Sequence, residues 1–220
     1  MRTVMTRASR PERPGRRERR AARLRLRRVD ALSAQLAQLH SVRALLEQAS
    51  EIVVHGWVQG AWFAVDVGGG GTSRAVTAQE VRLAADHPVT GACLVGAVVQ
   101  AGGGPAAVRS QPVQRALDLL WHSLREDAGQ PVRWCPGPPV RTMHVLDLTH
   151  WNDAPGRTRG DVVALLRSAV TTSDAQQARC RSEQASIAGS LCDSPGPAAS
   201  TVNGLRHSEA TAAPWSSDLP

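Results

Sequence analysis

One cysteine, one histidine and two amide side chains have the types and order that nucleophilic catalysis requires. Cys93 opens an apolar run over residues 93–101, and a helix beginning there would favour the thiolate through its N-terminus. Gln59 could donate to an oxyanion, and His150 with Asn152 could serve as base and orienting group. One hypothesis is therefore a cysteine-dependent hydrolase or transferase that uses Cys93 and His150.

The surroundings of Cys93 favour a different interpretation. This cysteine lies among Leu, Val, Ala and Gly, where a free thiol is most often buried and inert. His150 and Asn152 are only two positions apart, whereas papain-like enzymes place these roles far apart in the chain. The sequence also contains no lysine, which excludes a Walker A loop, a Schiff-base enzyme and a Ser-x-x-Lys hydrolase. We favour core packing at Cys93 and keep catalysis as the alternative.

Two tryptophan-containing segments supply a second group of candidates. Their polar side chains have two interpretations: they bond backbone groups in the turns beside the tryptophans, or they form a binding patch for a protein or small ligand. Asn and Asp side chains close turns by bonding nearby backbone, which favours the structural interpretation. The candidate binding residues are Trp57, Gln59, Trp151, Asn152 and Asp153.

The sequence predicts neither a cofactor nor a metal ion. Residues 102–107 match a Gly-x-Gly-x-x-Ala dinucleotide fingerprint, but Pro105 lies in the turn and the strand–helix–strand context is missing. Cys135, His144 and His150 could offer metal ligands. However, no pair of them has Cys-x-x-Cys, His-Glu-x-x-His or His-x-Glu spacing. We therefore expect no metal site.

Arginine dominates the charge of the chain, and the excess lies at one end. All 26 basic residues are arginine, against 19 acidic residues, which gives a formal net charge of +7. Residues 1–28 contain 12 arginines and two glutamates, whereas the rest of the chain has a net charge of −3. Such an arm is typically disordered and can bind nucleic acid without sequence preference. The candidate contacts are Arg16, Arg17, Arg19, Arg20 and Arg23.

The sequence gives no indication of a membrane partner. No segment reaches the roughly 18 consecutive apolar residues of a membrane span. The N-terminal arginine pairs are not followed by an apolar stretch, so neither a Sec nor a twin-arginine signal fits. The widely spaced cysteines are then typical of reduced thiols, and the chain is predicted to be cytoplasmic. They are Cys93, Cys135, Cys180 and Cys192.

Apolar spacing predicts that the elements positioning these candidates are mostly helices. Residues 93–101 are compatible with either a buried helix or a buried strand, and residues 143–148 are equally undecided. The elements predicted up to residue 127 are a loosely attached helix at 29–40, an amphipathic helix from an N-cap at Ser41 to Gly56, a β-hairpin over 61–67 and 74–77 with glycines at its turn, and a helix over 112–127.

The C-terminal half of the chain combines loops with one capped helix. Four prolines predict an irregular loop over residues 129–141, and the sequence WNDAPG predicts a turn at 151–156. Thr158 and Asp161 form a capping box, which predicts a closing helix that ends near Val170. Beyond it the chain is rich in Ser, Ala, Thr, Gln and Pro, which is typical of a disordered tail.

Four pieces of the chain together resemble a known family. In chain order they are an amphipathic helix ending in Gly-Trp-Val-Gln-Gly (56–60), Cys-Leu-Val-Gly-Ala (93–97), Trp-Asn-Asp-Ala-Pro-Gly-Arg-Thr (151–158) and the closing helix. Over about residues 42–170 they resemble a small actinobacterial and phage-associated family known only as a domain of unknown function. Its usual form has a tryptophan or another cysteine just before the cysteine, where this chain has Gly91 and Ala92. The resemblance implies a shared fold and boundary, and no activity.

The predicted architecture is a mainly α, small helical domain with one minor β-hairpin, flanked by disordered N- and C-terminal tails. The arm comprises residues 1–28, the domain residues 41–170 and the tail residues 171–220. Because the chain offers no coherent catalytic constellation, the leading hypothesis is a non-enzymatic cytoplasmic binding or adaptor module. Its arm would add weak, nonspecific affinity for nucleic acid.

Overall fold

Helices account for most of the structure, as the sequence predicts. The computed structural model describes residues 15–68, 72–126, 130–135 and 137–192. Within these ranges the elements are α1 (Arg16–His55), β1 (Phe63–Asp66), β2 (Ser73–Val76), a short 3-10 helix (Val81–Ala85), β3 (Val89–Ala92), α2 (Leu94–Ala101), a second 3-10 helix (Pro105–Arg109), α3 (Gln111–Arg125), α4 (Pro138–Asp153) and α5 (Arg159–Cys192).

The two long helices, α1 and α5, run antiparallel along each other. Arg28 pairs with Glu183 near one end, at 2.7 Å between Nε and Oε1, and Arg159 donates to the Val54 carbonyl at the other. Both helices turn an apolar face to the core, which is the general way in which amphipathic helices are stabilised. In α1 that face comprises the buried Leu32, Leu39, Val42, Leu45, Leu46, Ala49 and Val53.

The small sheet has the order β2-β1-β3 and is antiparallel throughout. The predicted hairpin is confirmed as β1 and β2, with Phe63 opposite Val76. The third strand, β3, is absent from the sequence prediction because its four residues, Val-Thr-Gly-Ala, are too few to show an alternating pattern and include a glycine. It pairs with β1, with Ala92 opposite Phe63. Ala92 also forms an isolated β-bridge with Trp57, which follows the end of α1.

Helix α2 forms the centre of the core and settles the undecided run at residues 93–101. Its first six residues are all buried, so the run is apolar on every side. Gly96 lies directly against β1, where a Cβ would collide with the Trp62 carbonyl oxygen. The close packing of α2 on the sheet therefore depends on this glycine.

The predicted division of the N-terminal part is wrong. The arm over residues 16–28 and the separate helix over residues 29–40 are both parts of α1, which continues without interruption to His55. Ser41 lies inside this helix and is not an N-cap, since its hydroxyl donates to the Ala37 carbonyl one turn earlier. The predicted stop at Gly56 is confirmed. Residues 1–14 of the arm lie outside the described residues.

The predicted start of the C-terminal tail is also wrong, because α5 continues through residues 171–192. Ser173 and Gln177 are buried against α1, and the Ser173 hydroxyl donates to the Leu39 carbonyl at 3.3 Å. A buried face made of Ser, Gln and Cys lacks the apolar periodicity by which a helix is recognised. Residues 193–220 of the tail lie outside the described residues.

Helix α4 replaces part of a predicted loop and part of a predicted turn. Pro138 lies in its first turn, where a missing N–H has no helical partner to lose. The undecided residues 143–148 are in its interior, and residues 151–153 form its last turn. The capping box that begins α5 is confirmed: Asp161 N–H donates to Thr158 Oγ1 at 3.2 Å, and Thr158 N–H donates to Asp161 Oδ2 at 2.9 Å.

Among the described helices, none combines the length and the apolar character that crossing a membrane requires.

Candidate functional site

Asn152 lies at the point where three distant segments of the chain meet. Its side chain has no exposed surface. Its Oδ1 accepts hydrogen bonds from the Trp57 indole N–H at 3.0 Å and from the Leu94 backbone N–H at 3.1 Å. Its Nδ2 donates to the Val58 carbonyl at 3.2 Å and to Asp153 Oδ1 at 2.7 Å. The amide thereby makes all four hydrogen bonds that an Asn side chain can make.

Two neighbouring side chains extend this network. Gln59 Nε2 donates to the backbone carbonyls of Asn152 at 2.9 Å and Ala154 at 3.3 Å. Asp153 Oδ1 also accepts from the Gly60 N–H at 3.0 Å. We refer to Trp57, Gln59, Asn152 and Asp153 as the Asn152 junction. It brings together four of the five predicted binding residues, joined to one another and to backbone.

Trp151 is the fifth predicted binding residue, and it makes different contacts. The Arg157 guanidinium lies over its ring, 3.9 Å from the ring centroid, in a cation–π contact. Arg157 Nε also donates to the Trp151 carbonyl at 3.0 Å. These contacts close the turn between α4 and α5.

Cys93 is buried in the core as the N-cap of α2, and its Sγ accepts from the Gly96 N–H at 3.3 Å. Burial raises the pKa of the Cys93 thiol to about 12, and the negative charge of Asp153 acts in the same direction. These effects exceed the favourable effect of the helix N-terminus. The thiol is therefore protonated at neutral pH, which is the opposite of an activated nucleophile.

The structure does not bring His150 to Cys93. His150 is exposed on α4, whereas Asn152, two positions later, faces the buried start of α2. Successive helical residues are rotated by about 100°, so these two side chains point in nearly opposite directions. Base and orienting group therefore cannot act together on one thiol in this arrangement.

A second cluster of titratable side chains lies between α3, the segment 130–135 and α4. One ligand atom from each of Asp118, Cys135 and His144 lies within 4.8 Å of the others, and all three residues are buried. His144 stacks on Trp121 with ring centroids 3.9 Å apart. We refer to Asp118, Cys135 and His144 as the Asp118 cluster.

The sequence offers Cys135, His144 and His150 as possible metal ligands, and in the structure Asp118 takes the place of His150. Asp118 was missed because it lies within the apolar sequence Ala-Leu-Asp-Leu-Leu-Trp of α3. An acidic residue flanked by leucine on both sides is the feature that would have identified it, since unpaired carboxylates are rarely buried.

The basic residues at the start of α1 form an exposed helical segment. All side chains from Arg16 to Arg28 are exposed, including Leu24 and Leu26 at 57% and 63%. We call residues 16–28 the arginine helix. It places Arg16, Arg17, Arg19, Arg20 and Arg23 around one open surface.

The chain was compared with family models, curated proteins and solved structures. A model described as "Family of unknown function (DUF6197)" matches residues 36–172. No curated protein and no solved structure matches the chain.

Proposed function

The chain belongs to the DUF6197 family of unknown function, and from this premise we propose that it is a non-enzymatic cytoplasmic binding module that holds nucleic acid nonspecifically through the arginine helix. The observation that carries the proposal is the exposed helical placement of eight arginines and one glutamate over residues 16–28. The family match begins at residue 36, so this activity would belong to the chain's own N-terminal extension.

The spacing of the arginines suits a duplex. Arg16, Arg20, Arg23 and Arg27 recur at helical intervals of four, three and four residues and so share one face. They span about 16 Å at the usual rise of an α-helix. The major groove of B-DNA is wide enough to admit an α-helix. The phosphates of the two DNA strands together supply one negative charge per about 1.7 Å of duplex axis. Guanidinium groups stay charged and bond phosphate oxygens in pairs.

An anionic membrane is a poorer match to the same surface. An interfacial helix needs a continuous apolar face opposite its basic one. Residues 16–28 offer only two leucines and two alanines, and arginines at 23, 25, 27 and 28 surround the leucines. The absence of an apolar face in this segment therefore favours nucleic acid.

The continuity of α1 supports the proposal further. The arginine helix is the first part of α1, whose later apolar face, from Val42 to Val53, is buried in the core. A helix that is already formed avoids much of the ordering entropy that a disordered arm loses on binding.

The experiment compares two variants with the same change of charge. In the first, Arg16, Arg20, Arg23 and Arg27 are replaced by Gln. In the second, the replaced residues are the exposed Arg82, Arg109, Arg133 and Arg167 of the body. Fluorescence anisotropy with a random duplex, repeated at several salt concentrations, measures Kd and its salt dependence.

We expect the first variant, with its changes in the arginine helix, to bind the duplex at least tenfold more weakly than the natural chain. The second variant should bind like the natural chain. The slope of log K against log salt should fall by about 3 to 4, since each phosphate contact contributes about 0.9. Equal weakening in both variants, or none in the arm variant, would show that the arginine helix is not the binding surface.

A further inference from the structure

We propose that Asp118, Cys135 and His144 form a binding site for a divalent transition metal ion, with Zn²⁺ as the best match. The three side chains come from α3, from the segment 130–135 and from α4, and all are buried. They supply oxygen, sulfur and nitrogen, which are the donor atoms of protein zinc sites.

The separations fit a metal better than they fit direct bonds between the side chains. His144 Nδ1 lies 3.8 Å from Asp118 Oδ1, which is too long for a hydrogen bond. Ligands at usual Zn–N and Zn–O distances on a tetrahedral ion lie about 3.4 Å apart. Small side-chain movements would therefore place all three atoms on one ion.

Two of the ligand atoms have no hydrogen-bond partner among the described residues. They are Asp118 Oδ1 and His144 Nδ1, and both are buried. A buried polar atom without a partner is destabilising, because it has lost its hydrogen bonds to water. A metal ion between these two atoms would satisfy both, which is the independent observation that points to a ligand.

The two arginines that would repel a cation lie beside the other carboxylate oxygen of Asp118. Its Oδ2 accepts a hydrogen bond from the Cys135 N–H at 3.3 Å. The same oxygen lies 3.6 Å from Arg141 Nη2 and 3.9 Å from Arg115 Nη1. Oδ1 is thus left for the metal while Oδ2 is held by outer groups, as is usual for carboxylate ligands. Both arginine side chains are about a quarter exposed, and both lie on the Oδ2 side of the carboxylate.

Cys135 must lose a proton to bind the ion. Its thiol donates to the Gly137 carbonyl at 3.1 Å. On binding, the Sγ–metal bond replaces the S–H bond, and the proton goes to the buffer. The product has two negative ligands and one neutral imidazole around a doubly charged ion. The ion and its three ligands then carry no net charge, and Arg115 and Arg141 remain as positive groups beside Asp118.

The experiment uses the full chain without an affinity tag, stripped of metal by a chelator. Co²⁺ is titrated as a spectroscopic probe, since its visible absorption reports tetrahedral geometry and its thiolate charge-transfer band reports a cysteine ligand. Zn²⁺ is then titrated calorimetrically. We expect one equivalent of each ion, the charge-transfer band, and release of a proton.

The matched variants are Cys135→Ser and Cys180→Ser, both at buried cysteines. The first should lose the charge-transfer band and weaken Zn²⁺ binding by more than about 100-fold, beyond the roughly 10- to 100-fold that loss of an outer hydrogen bond costs. The second should bind like the natural chain. Cys135 lies outside the helices, and circular dichroism verifies that the variants are folded.

Two results would overturn the site, and one of them needs no variant. The first is failure of the natural chain to bind either ion stoichiometrically. The second is a charge-transfer band that survives in a folded Cys135→Ser protein.

Discussion

Asn152 shows how a single side chain can link parts of the sequence that are far apart. Its amide joins the segment after α1, the start of α2 and the end of α4. In a buried site of low dielectric, a fully satisfied amide favours one arrangement of its partners over all others. The Gly-Trp-Val-Gln-Gly, Cys-Leu-Val-Gly-Ala and Trp-Asn-Asp pieces thus meet for a structural reason.

Asn152→Ala should lower the free energy of unfolding by about 3 kcal/mol or more, because it leaves two donors and one acceptor, all buried or partly buried, without partners. The orphaned groups are the Trp57 indole, the Leu94 N–H and the Val58 carbonyl. Urea denaturation followed by circular dichroism measures the change. The matched control is His150→Ala on the exposed side of α4, which should change stability by less than about 0.5 kcal/mol. Equal effects would refute the importance of the junction.

Cys93 should resist alkylation in the folded protein from about pH 5 to about pH 9, because burial raises the pKa of its thiol to about 12. Peptide mapping after brief iodoacetamide treatment measures this, and a urea-unfolded sample provides the control in which Cys93 is labelled. Fast, selective labelling of native Cys93 at neutral pH would instead support the hydrolase or transferase hypothesis.

The same pKa shift gives the sign of a stability change. The folded state holds the Cys93 proton more tightly than the unfolded state, whose thiol titrates near 9. This contribution to stability is complete below about pH 9 and is lost as the pH rises from there towards 12. The loss is at most about 1.4 kcal/mol per pH unit.

Sequence reasoning identified the polar residues of the junction but not the range of their bonds. It expected Gln59, Asn152 and Asp153 to bond backbone within their own turns. In the structure Gln59 and Asn152 bond each other's segments across more than 90 positions. Local propensity carries no information about such contacts, because they depend on how α4 packs against α2 and the end of α1.

At the scale of elements, the packing of α2 on β1 sets a limit on side-chain size. Gly96 faces the Trp62 carbonyl and the Phe63 ring with no room for a methyl group. The face of α3 was predictable because Leu, Val and Ala recur there at helical spacing. The helical structure of residues 93–101 was not predictable from the sequence, because a run that is apolar throughout has no period.

Gly96→Ala should destabilise the protein by about 2 kcal/mol or more, since the added methyl group forces α2 away from β1. Gly189→Ala is the matched control, because Gly189 lies in α5 with nothing near its would-be Cβ. Alanine there should leave stability unchanged or raise it by up to about 1 kcal/mol. Thermal unfolding of both variants measures the difference. Similar melting temperatures would contradict the close approach.

For the molecule as a whole, the paired helices α1 and α5 extend beyond the region that the family model matches. A satellite cluster of Leu32, Leu39 and Cys180, with Ile187 packed against it, fills the interface outside the main core. Glu183 and Gln184 add polar contacts to α1. The sequence did not predict this extension because the contacting face of α5 is largely polar.

A chain that ends at residue 172 should therefore lose order in the first part of α1 while it keeps the main core. Removal of residues 173–192 exposes Leu32 and Leu39, and about 25 cal/mol of burial energy is lost for each Å² of apolar surface uncovered. Isolated helical segments of this length are marginal in water. Amide hydrogen exchange should accelerate over residues 16–40, whereas residues 42–53 stay protected by α2 and α3.

A chain that ends at residue 192 is the control, since it keeps all of α5 and should exchange like the full chain. The test also bears on nucleic-acid binding, because the arginine helix continues into the part of α1 that packs on α5, and Arg28 itself pairs with Glu183. If the shorter chain frays, it should retain the charge-dependent part of its affinity but bind more weakly, since a disordered arm must be ordered on the duplex. Unchanged exchange over residues 16–40 in the shorter chain would mean that α1 is held without its partner. The α1–α5 pair would then not be the element that stabilises this end of the molecule.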